Sequence, residues 1–271
     1  VITKFEVKDV TRYYDKTTGK LVANPISGTE YKVVQEKDLV PHYYNVNTVT
    51  PELNNSNVTW TEVTEEGNNT IKISSPDGTP KYYKYTYNAP SDYDTTTNSN
   101  KTKDLGTITD PPGTYENPVT YKGGAVINNP AGSTITIENY VFQNNKTTAT
   151  FESTTPDYYK YVNLIGGAIY NEGEISKITS DFIGNSISVT TSSRRIQTEP
   201  SGGAIYNNGT IGNITGDFIG NSAVHSYGGA ITNKGTIENI TGNFIGNSNG
   251  GIDNSAKIGN ITGNFIGNSD D

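Results

Sequence analysis

"GGAIYNNGTIGNITGDFIGNS" (Gly202–Ser222) decides the fold, because nearly the same words recur on either side of it. They read "GGAIYNEGEISKITSDFIGNS" at Gly166–Ser186 and "GGAITNKGTIENITGNFIGNS" at Gly228–Ser248. Two landmarks define each copy. A glycine pair leads into an aliphatic at Gly123-Gly124-Ala125-Val126, Gly166-Gly167-Ala168-Ile169, Gly202-Gly203-Ala204-Ile205 and Gly228-Gly229-Ala230-Ile231, then as a shortened Gly250-Gly251-Ile252. A phenylalanine is followed three residues later by asparagine at Phe142, Phe182, Phe218, Phe244 and Phe265.

The spacing carries the information. Glycine pair to phenylalanine is 16 residues in three copies (Gly166 to Phe182, Gly202 to Phe218, Gly228 to Phe244), 19 in the first and 15 in the last. From each phenylalanine to the next glycine pair the distance falls through 24, 20, 10 and 6 residues. Length therefore varies in one place only, after "FIGNS". In a stacked architecture that place is a single corner, repeated along one side of a column.

Each fixed segment holds three short strand-like pieces, "AIYN", "TIGNI" and "DFIGN" in the Gly202 copy, separated by "NG" and "TG" turns. A lone coil of this size cannot bury its apolar face, but stacked copies can. Ile169, Ile205, Ile231 and Ile252 then form one ladder under Val126. Ile175, Ile211, Ile237 and Ile258 form a second, and Ile178, Ile214, Ile240 and Ile261 a third. Phe182, Phe218, Phe244 and Phe265 form an aromatic stack. In the first copy Glu138 takes the place of the third isoleucine.

Two asparagine columns run beside these ladders. One is Asn128, Asn171, Asn207, Asn233 and Asn254; the other is Asn145, Asn185, Asn221, Asn247 and Asn268. Asparagine tolerates the left-handed corner, and stacked amides hydrogen-bond from coil to coil. Gly173, Gly209 and Gly235 are expected at positive φ in the turn, a rule that Ala256 breaks. The fold expected is all-β: a right-handed parallel β-helix of about five coils over residues 111–271.

Residues 1–110 show no repeat. Runs such as "KFEVKDV" (Lys4–Val10), "NVTWTEV" (Asn57–Val63) and "KYYKYTYN" (Lys81–Asn88) alternate polar and apolar residues, predicting a Tyr-rich antiparallel β domain or cap. The polar stretch Ala89–Thr107 reads as a linker or exposed loop.

Composition excludes several function classes. With a net charge of −8 and arginine only at Arg12, Arg194 and Arg195, the chain is not built to bind nucleic acid. Zero cysteines remove disulfides and thiolate zinc sites. There is no apolar run of membrane-spanning length and no signal peptide. A chain that opens on Val1 and stops inside a repeat reads as a fragment of something longer.

The paired GGA[I/V] and FxxN words, repeated at irregular intervals over Gly123–Asn268, resemble the passenger repeats of polymorphic-membrane-protein-type autotransporters. The resemblance implies a passenger displayed on a Gram-negative outer membrane, exported through its own β-barrel translocator. It also implies an adhesin or immune-exposed antigen, with a host-cell or neighbouring-cell protein or glycan as partner.

Three sets of residues compete for a functional role. The insertions Lys146–Ile165, Ile187–Ser201 and Ala223–Tyr227 are expected to emerge as adjacent loops carrying Phe151, Tyr158, Tyr159, Tyr161, Arg194, Arg195, His225 and Tyr227. Aromatic and arginine side chains favour recognition. The alternative is padding, since loops tolerate insertion. The strip Tyr83, Tyr85, Tyr87 shares one strand face and could stack on a ligand or pack in a core. Asp181 and Asp217, one coil apart, could share a proton or cation as in a β-helical polysaccharide lyase or hydrolase, or be plain turn carboxylates. His42 and His225 stand alone, and "GGIDNSA" (Gly250–Ala256) only faintly echoes a calcium nonapeptide. The reading is an exported adhesin or display module with no catalytic residue, metal or cofactor; the alternative is a carbohydrate-active enzyme fragment.

Overall fold

The computed structural model describes residues 2–17, 21–22, 30–44, 57–67, 69–74, 79–154, 159–224 and 228–269. It divides into two compact units, Val1–Glu52 with Ser74–Lys81, and Leu53–Ile73 with Tyr82–Asp271.

In the first unit β1 (Ile2–Asp15) pairs antiparallel with the two-residue β2 (Leu21–Val22) and, along its whole length, with β3 (Tyr31–Tyr44). In the second, β4 (Val58–Val63) pairs antiparallel with β6 (Pro80–Tyr87), which also borders β5 (Thr70–Ser74).

The rest of the second unit is a right-handed parallel β-helix. Coil one holds β7 (Thr102–Thr109), β8 (Val119–Lys122), β9 (Ile127–Asn129) and β10 (Thr134–Gln143). Coil two holds β11 (Lys146–Glu152), β12 (Lys160–Ile165), β13 (Ile169–Asn171) and β14 (Glu174–Ile183). Coil three holds β15 (Ser186–Thr191), β16 (Ile196–Thr198), β17 (Ile205–Asn207), β18 (Thr210–Thr215) and β19 (Phe218–Ile219). Coil four holds β20 (Ser222–Ala223), β21 (Ile231–Asn233), β22 (Thr236–Thr241) and β23 (Phe244–Ile245). Coil five holds β24 (Ile252–Asn254), β25 (Lys257–Thr262) and β26 (Phe265–Ile266). Each strand pairs in parallel with its counterpart in the next coil. The stretch Ala89–Thr107 thus contributes a strand rather than a free linker, since β7 pairs with β11.

The ladders form as the repeated letters require. Ile169, Ile205 and Ile231 are fully buried, as are the phenylalanines Phe142, Phe182, Phe218 and Phe244. Rings of successive phenylalanines stack 4.7–4.8 Å apart, the spacing of hydrogen-bonded strands. Each buried Ile or Phe is worth roughly 1.5–3 kcal/mol relative to exposure. Phe265, in the last coil, is 51% exposed.

Both asparagine columns are buried amide ladders. Asn171 Nδ2 donates to Asn207 Oδ1 at 2.7 Å, Asn207 to Asn233 at 2.8 Å, and Asn233 to Asn254 at 2.8 Å. Asn185 donates to Asn221, Asn221 to Asn247, and Asn247 to Asn268 at 2.8–3.0 Å. In the first column the partners stand 42, 36, 26 and 21 residues apart, so the coils shrink steadily along the axis.

Several expectations are corrected, beginning with the first coil. Ile127, not Val126, pairs with Ile169, and Asn129, not Asn128, pairs with Asn171 and heads the column. Ile137, not Glu138, lies against Ile178, because β10 shifts register around Asn139, whose φ is +60°. Gly173, Gly209 and Gly235 do not take positive φ. They are glycine because coils touch there: a Cβ on Gly209 would sit 2.1 Å from Gly173 O, and one on Gly235 2.0 Å from Gly209 O. Left-handed backbone falls instead on the glycine of "FIGN" (Gly184, Gly220, Gly246, Gly267) and on one glycine of each pair, the second in the first coil (Gly124) and the first in the later ones (Gly166, Gly202, Gly228, Gly250).

Candidate functional site

The length-variable insertions are not free loops. Their strands stack into two further parallel sheets, β7–β11–β15–β20 and β8–β12–β16. Between these sheets lies a second core of Ala149, Phe151, Val162, Leu164, Ile187, Ile196 and Ala223. The long coils therefore carry a side lobe, and the lobe vanishes as the insertions shorten. Phe151 is wholly buried there, its ring 5.3 Å from Tyr121, and is a core residue rather than a surface anchor.

At one edge of this lobe three successive coils bring polar and aromatic groups together. Tyr161 N–H donates to Gly113 O at 3.2 Å, and its ring meets Tyr115 edge-on at 5.2 Å. A Cβ on Gly113 would lie 1.9 Å from Tyr161 O, so only glycine lets the first coil approach this closely. One coil on, Lys160 N–H donates to Arg195 O at 2.9 Å. The turn bearing Arg194 and Arg195 is fixed by the buried Ile196, by Arg195 N–H donating to Ser193 Oγ at 3.2 Å, and by Gln197 Nε2 donating to Arg194 O at 3.1 Å. Tyr115 is 78% exposed and Tyr159 60%; Tyr161 is half-buried, and both arginines are exposed. Of the loop candidates, then, Tyr159, Tyr161, Arg194 and Arg195 share one edge. Tyr158, His225 and Tyr227 lie outside the described residues. Sequence reading missed Tyr115; its signal was the turn-rich "PPGTYENP" at Pro111–Pro118.

The tyrosine strip packs inward. Tyr85 is buried and Tyr83 and Tyr87 half-buried, in a cluster with Val58, Ile71, Val141, Ile183, Ile219 and Ile245. In "FI" the phenylalanine points into the column and the isoleucine outward, so the outer isoleucine ladder needs a cover. The β4–β6–β5 ribbon supplies it, with Trp60 edge-on to Tyr85 at 5.9 Å. Positive-φ Gly220 is also where the cover touches down, since a Cβ there would lie 2.1 Å from Tyr85 Oη.

The aspartate pair sits beside this cover. Asp181 is 3% exposed, and Asp217 is also buried. Asp181 Oδ1 accepts Asp217 N–H at 2.7 Å, while Oδ2 accepts the Tyr87 hydroxyl at 2.7 Å. Asp217 Oδ1 accepts both the backbone N–H and the Nδ2 of Asn243, at 2.8 and 3.0 Å. Asn243 Oδ1 in turn accepts both groups of Asn264 at 3.1 Å. This is a third ladder, with two carboxylates at its head. Burial pushes the Asp181 carboxyl up to about 6, against the hydrogen bonds from Asp217 and Tyr87 that favour its charge. Burial also raises Asp217, opposed by Asn243. Tyr87 is driven well above the usual tyrosine range by burial and by the Asp181 charge.

Among the described residues no group of three or more histidine, cysteine, aspartate or glutamate side chains could hold a metal ion. His42 stands in β3 opposite Lys4 of β1. Compared with models of protein families, with curated proteins and with solved structures, the chain matches none.

Proposed function

We propose that the chain is a binding and display module: an exported, cell-surface β-helix of autotransporter-passenger type that holds a recognition edge away from the membrane. The observation that carries this is the lobe edge, where the segments bearing Tyr115, Tyr159, Tyr161, Arg194 and Arg195 are joined across three successive coils by backbone hydrogen bonds, with Tyr115 edge-on to Tyr161. Exposed tyrosine and arginine on ordered backbone are the residue types that anchor recognition at low entropic cost. The partner is a surface protein or glycan of a host or neighbouring cell, and the outer membrane is reached through the protein's own β-barrel translocator. These last two points rest on the resemblance of the repeated words.

Binding of the labelled chain to intact epithelial or bacterial cells, compared with a Tyr159→Ala/Arg194→Ala variant of unchanged thermal stability, tests the reading. Loss of binding in the variant is expected; equal binding would remove the edge from the account. Protease shaving of intact producing cells tests the location, with digestion of the chain expected.

One observation favours a second reading, a carbohydrate-active enzyme: two buried carboxylates with raised proton affinity lie one coil apart. Against it, both oxygens of Asp181 already accept protein donors, and a glycosidic oxygen has no approach to a side chain so enclosed. Glycan depolymerisation that disappears in Asp181→Asn or Asp217→Asn would favour the enzyme.

A further inference from the structure

We propose that the β4–β6–β5 ribbon is a pH-sensitive strap over the outer isoleucine ladder. It lifts from the column about a hinge at residues 88–93, held closed by a proton on Asp181 and loosened when that proton leaves.

The ribbon is built to move as a unit. It is a separate antiparallel sheet, and among the described residues none of its strands pairs with a strand of the column. Its connecting bonds also stay inside it: Tyr85 N–H donates to Asn69 O at 2.9 Å, and Asn88 N–H to Asn57 O at 2.7 Å. Side-chain packing holds it down, with Val58, Ile71 and Tyr85 against Val141, Ile183, Ile219 and Ile245. Beyond the ribbon the chain is pinned again at Asp94, whose N–H donates to Asn139 O and whose carbonyl accepts Val141 N–H, both at 2.8 Å. Lifting the ribbon between these points breaks no rung of the column, the condition for a local opening that costs less than unfolding. Trp60 Nε1 is buried without a hydrogen-bond partner among the described residues, a cost that opening relieves.

Asp181 couples this opening to protons. The Tyr87 hydroxyl, at the end of β6, donates to its Oδ2, so the carboxyl lies under the hinge end of the strap and is 3% exposed. Tyr87 and Tyr93 face it from the strap and the hinge, with Asp92 beside Tyr93, and Asp217 faces it from coil three. The other charged groups on the packed elements are engaged or distant. Lys177 pairs with Glu138, Asp94 accepts bonds from Thr96, Glu174 lies at the far end of β14, and Lys72 and Lys84 of the ribbon are exposed.

The sign follows from burial. Under the strap the Asp181 carboxyl is pushed up to about 6, whereas in water it returns to its ordinary 3.8. Between these values the closed form binds more protons, so raising pH favours opening, by about a hundredfold once pH exceeds 6. Asp217 is shifted upward by burial and works in the same sense. Tyr87 keeps its proton throughout this range.

The cysteine-free chain allows a direct test, thiol labelling by dithiodipyridine of the full 271-residue protein carrying Ile219→Cys, under the strap, or Ile205→Cys, inside the column. Rates are taken relative to an unstructured peptide thiol at the same pH. Ile219→Cys is expected to label at least about tenfold faster than Ile205→Cys, with little dependence on dilute urea. Its rate is expected to be about a hundredfold higher at pH 8 than at pH 5, and Asp181→Asn to abolish that difference. Should Ile219→Cys not fold, Ile245→Cys reports from the same face. Equal labelling at both depths would mean that only global unfolding uncovers the ladder, and would overturn the strap. Labelling under the strap that ignores pH, or keeps its pH dependence in Asp181→Asn, would overturn the proton coupling.

Discussion

The hydroxyl of Tyr87 and the Oδ2 of Asp181, 94 residues apart in sequence, are joined by a 2.7 Å hydrogen bond. It ties the antiparallel cover to the head of the third polar ladder. Below that point each ladder residue receives two bonds from the next coil, one from backbone and one from a side-chain amide. Asp181 receives only the backbone bond from Asp217, because an ionised carboxylate has no hydrogen to give.

Asp217→Asn supplies that missing donor and removes a buried charge. We predict a rise in stability of about 1–2 kcal/mol at pH 7 in urea unfolding. An unchanged or lowered midpoint would mean that Asp217 is held by interactions an amide cannot replace.

Stability should fall as pH rises through the Asp181 titration. Its carboxyl holds a proton up to about pH 6 in the folded state, against an ordinary value of 3.8. Between these values the folded protein binds more protons than the unfolded chain, so raising pH favours unfolding. The loss from this group is on the order of 2–3 kcal/mol, complete above pH 6 and absent below pH 4. Asp217 is shifted the same way and adds to the slope. Asp181→Asn should flatten the profile; an equally steep profile in that variant would place the linkage elsewhere.

Tyr87→Phe keeps the ring and deletes the hydroxyl. Unfolding at pH 7 should become easier by about 1–3 kcal/mol, because a buried carboxylate loses a donor. The pH slope should steepen, since that bond favours the charged form.

Asn207→Ala removes an amide whose Nδ2 and Oδ1 link neighbouring coils in a buried column. A cost of about 2–4 kcal/mol is expected. Asn213→Ala, in an exposed amide pair with Asn239, should cost under about 1 kcal/mol. Similar costs at both sites would contradict the importance of burial to the ladder.

Much of this was legible in the sequence where letters repeat at fixed spacing. Ile205, Phe218, Asn207 and Asn221 stack on their own copies, so identity alone reveals the ladders. The insertions were opaque because parallel pairing needs no repeated letters: Thr147 faces Ile187, and Ile187 faces Ala223, with backbone bonds that carry no sequence signature. Deleting Ile187–Ser201 would accordingly uncover Phe151 and Leu164 rather than trim a loop. The first coil misled because Asn139 is an extra residue in β10, and a single bulge moves Ile137 into a column that spacing assigned to Glu138. The tyrosine strip showed a face but not its partner, since alternation says which residues point together and not what they meet.

The proposed recognition edge requires the insertions to stack in register as a lobe. The cysteine-free chain permits a direct measurement: disulfide formation in Thr148→Cys/Ser188→Cys, two half-exposed partners on β11 and β15. Aligned parallel strands place such pairs within bridging distance. The account predicts near-complete loss of free thiols on mild oxidation, and little or none for the out-of-register pair Thr148→Cys/Thr190→Cys. Equal, slow oxidation of both pairs would contradict it, and would return the insertions to independent loops.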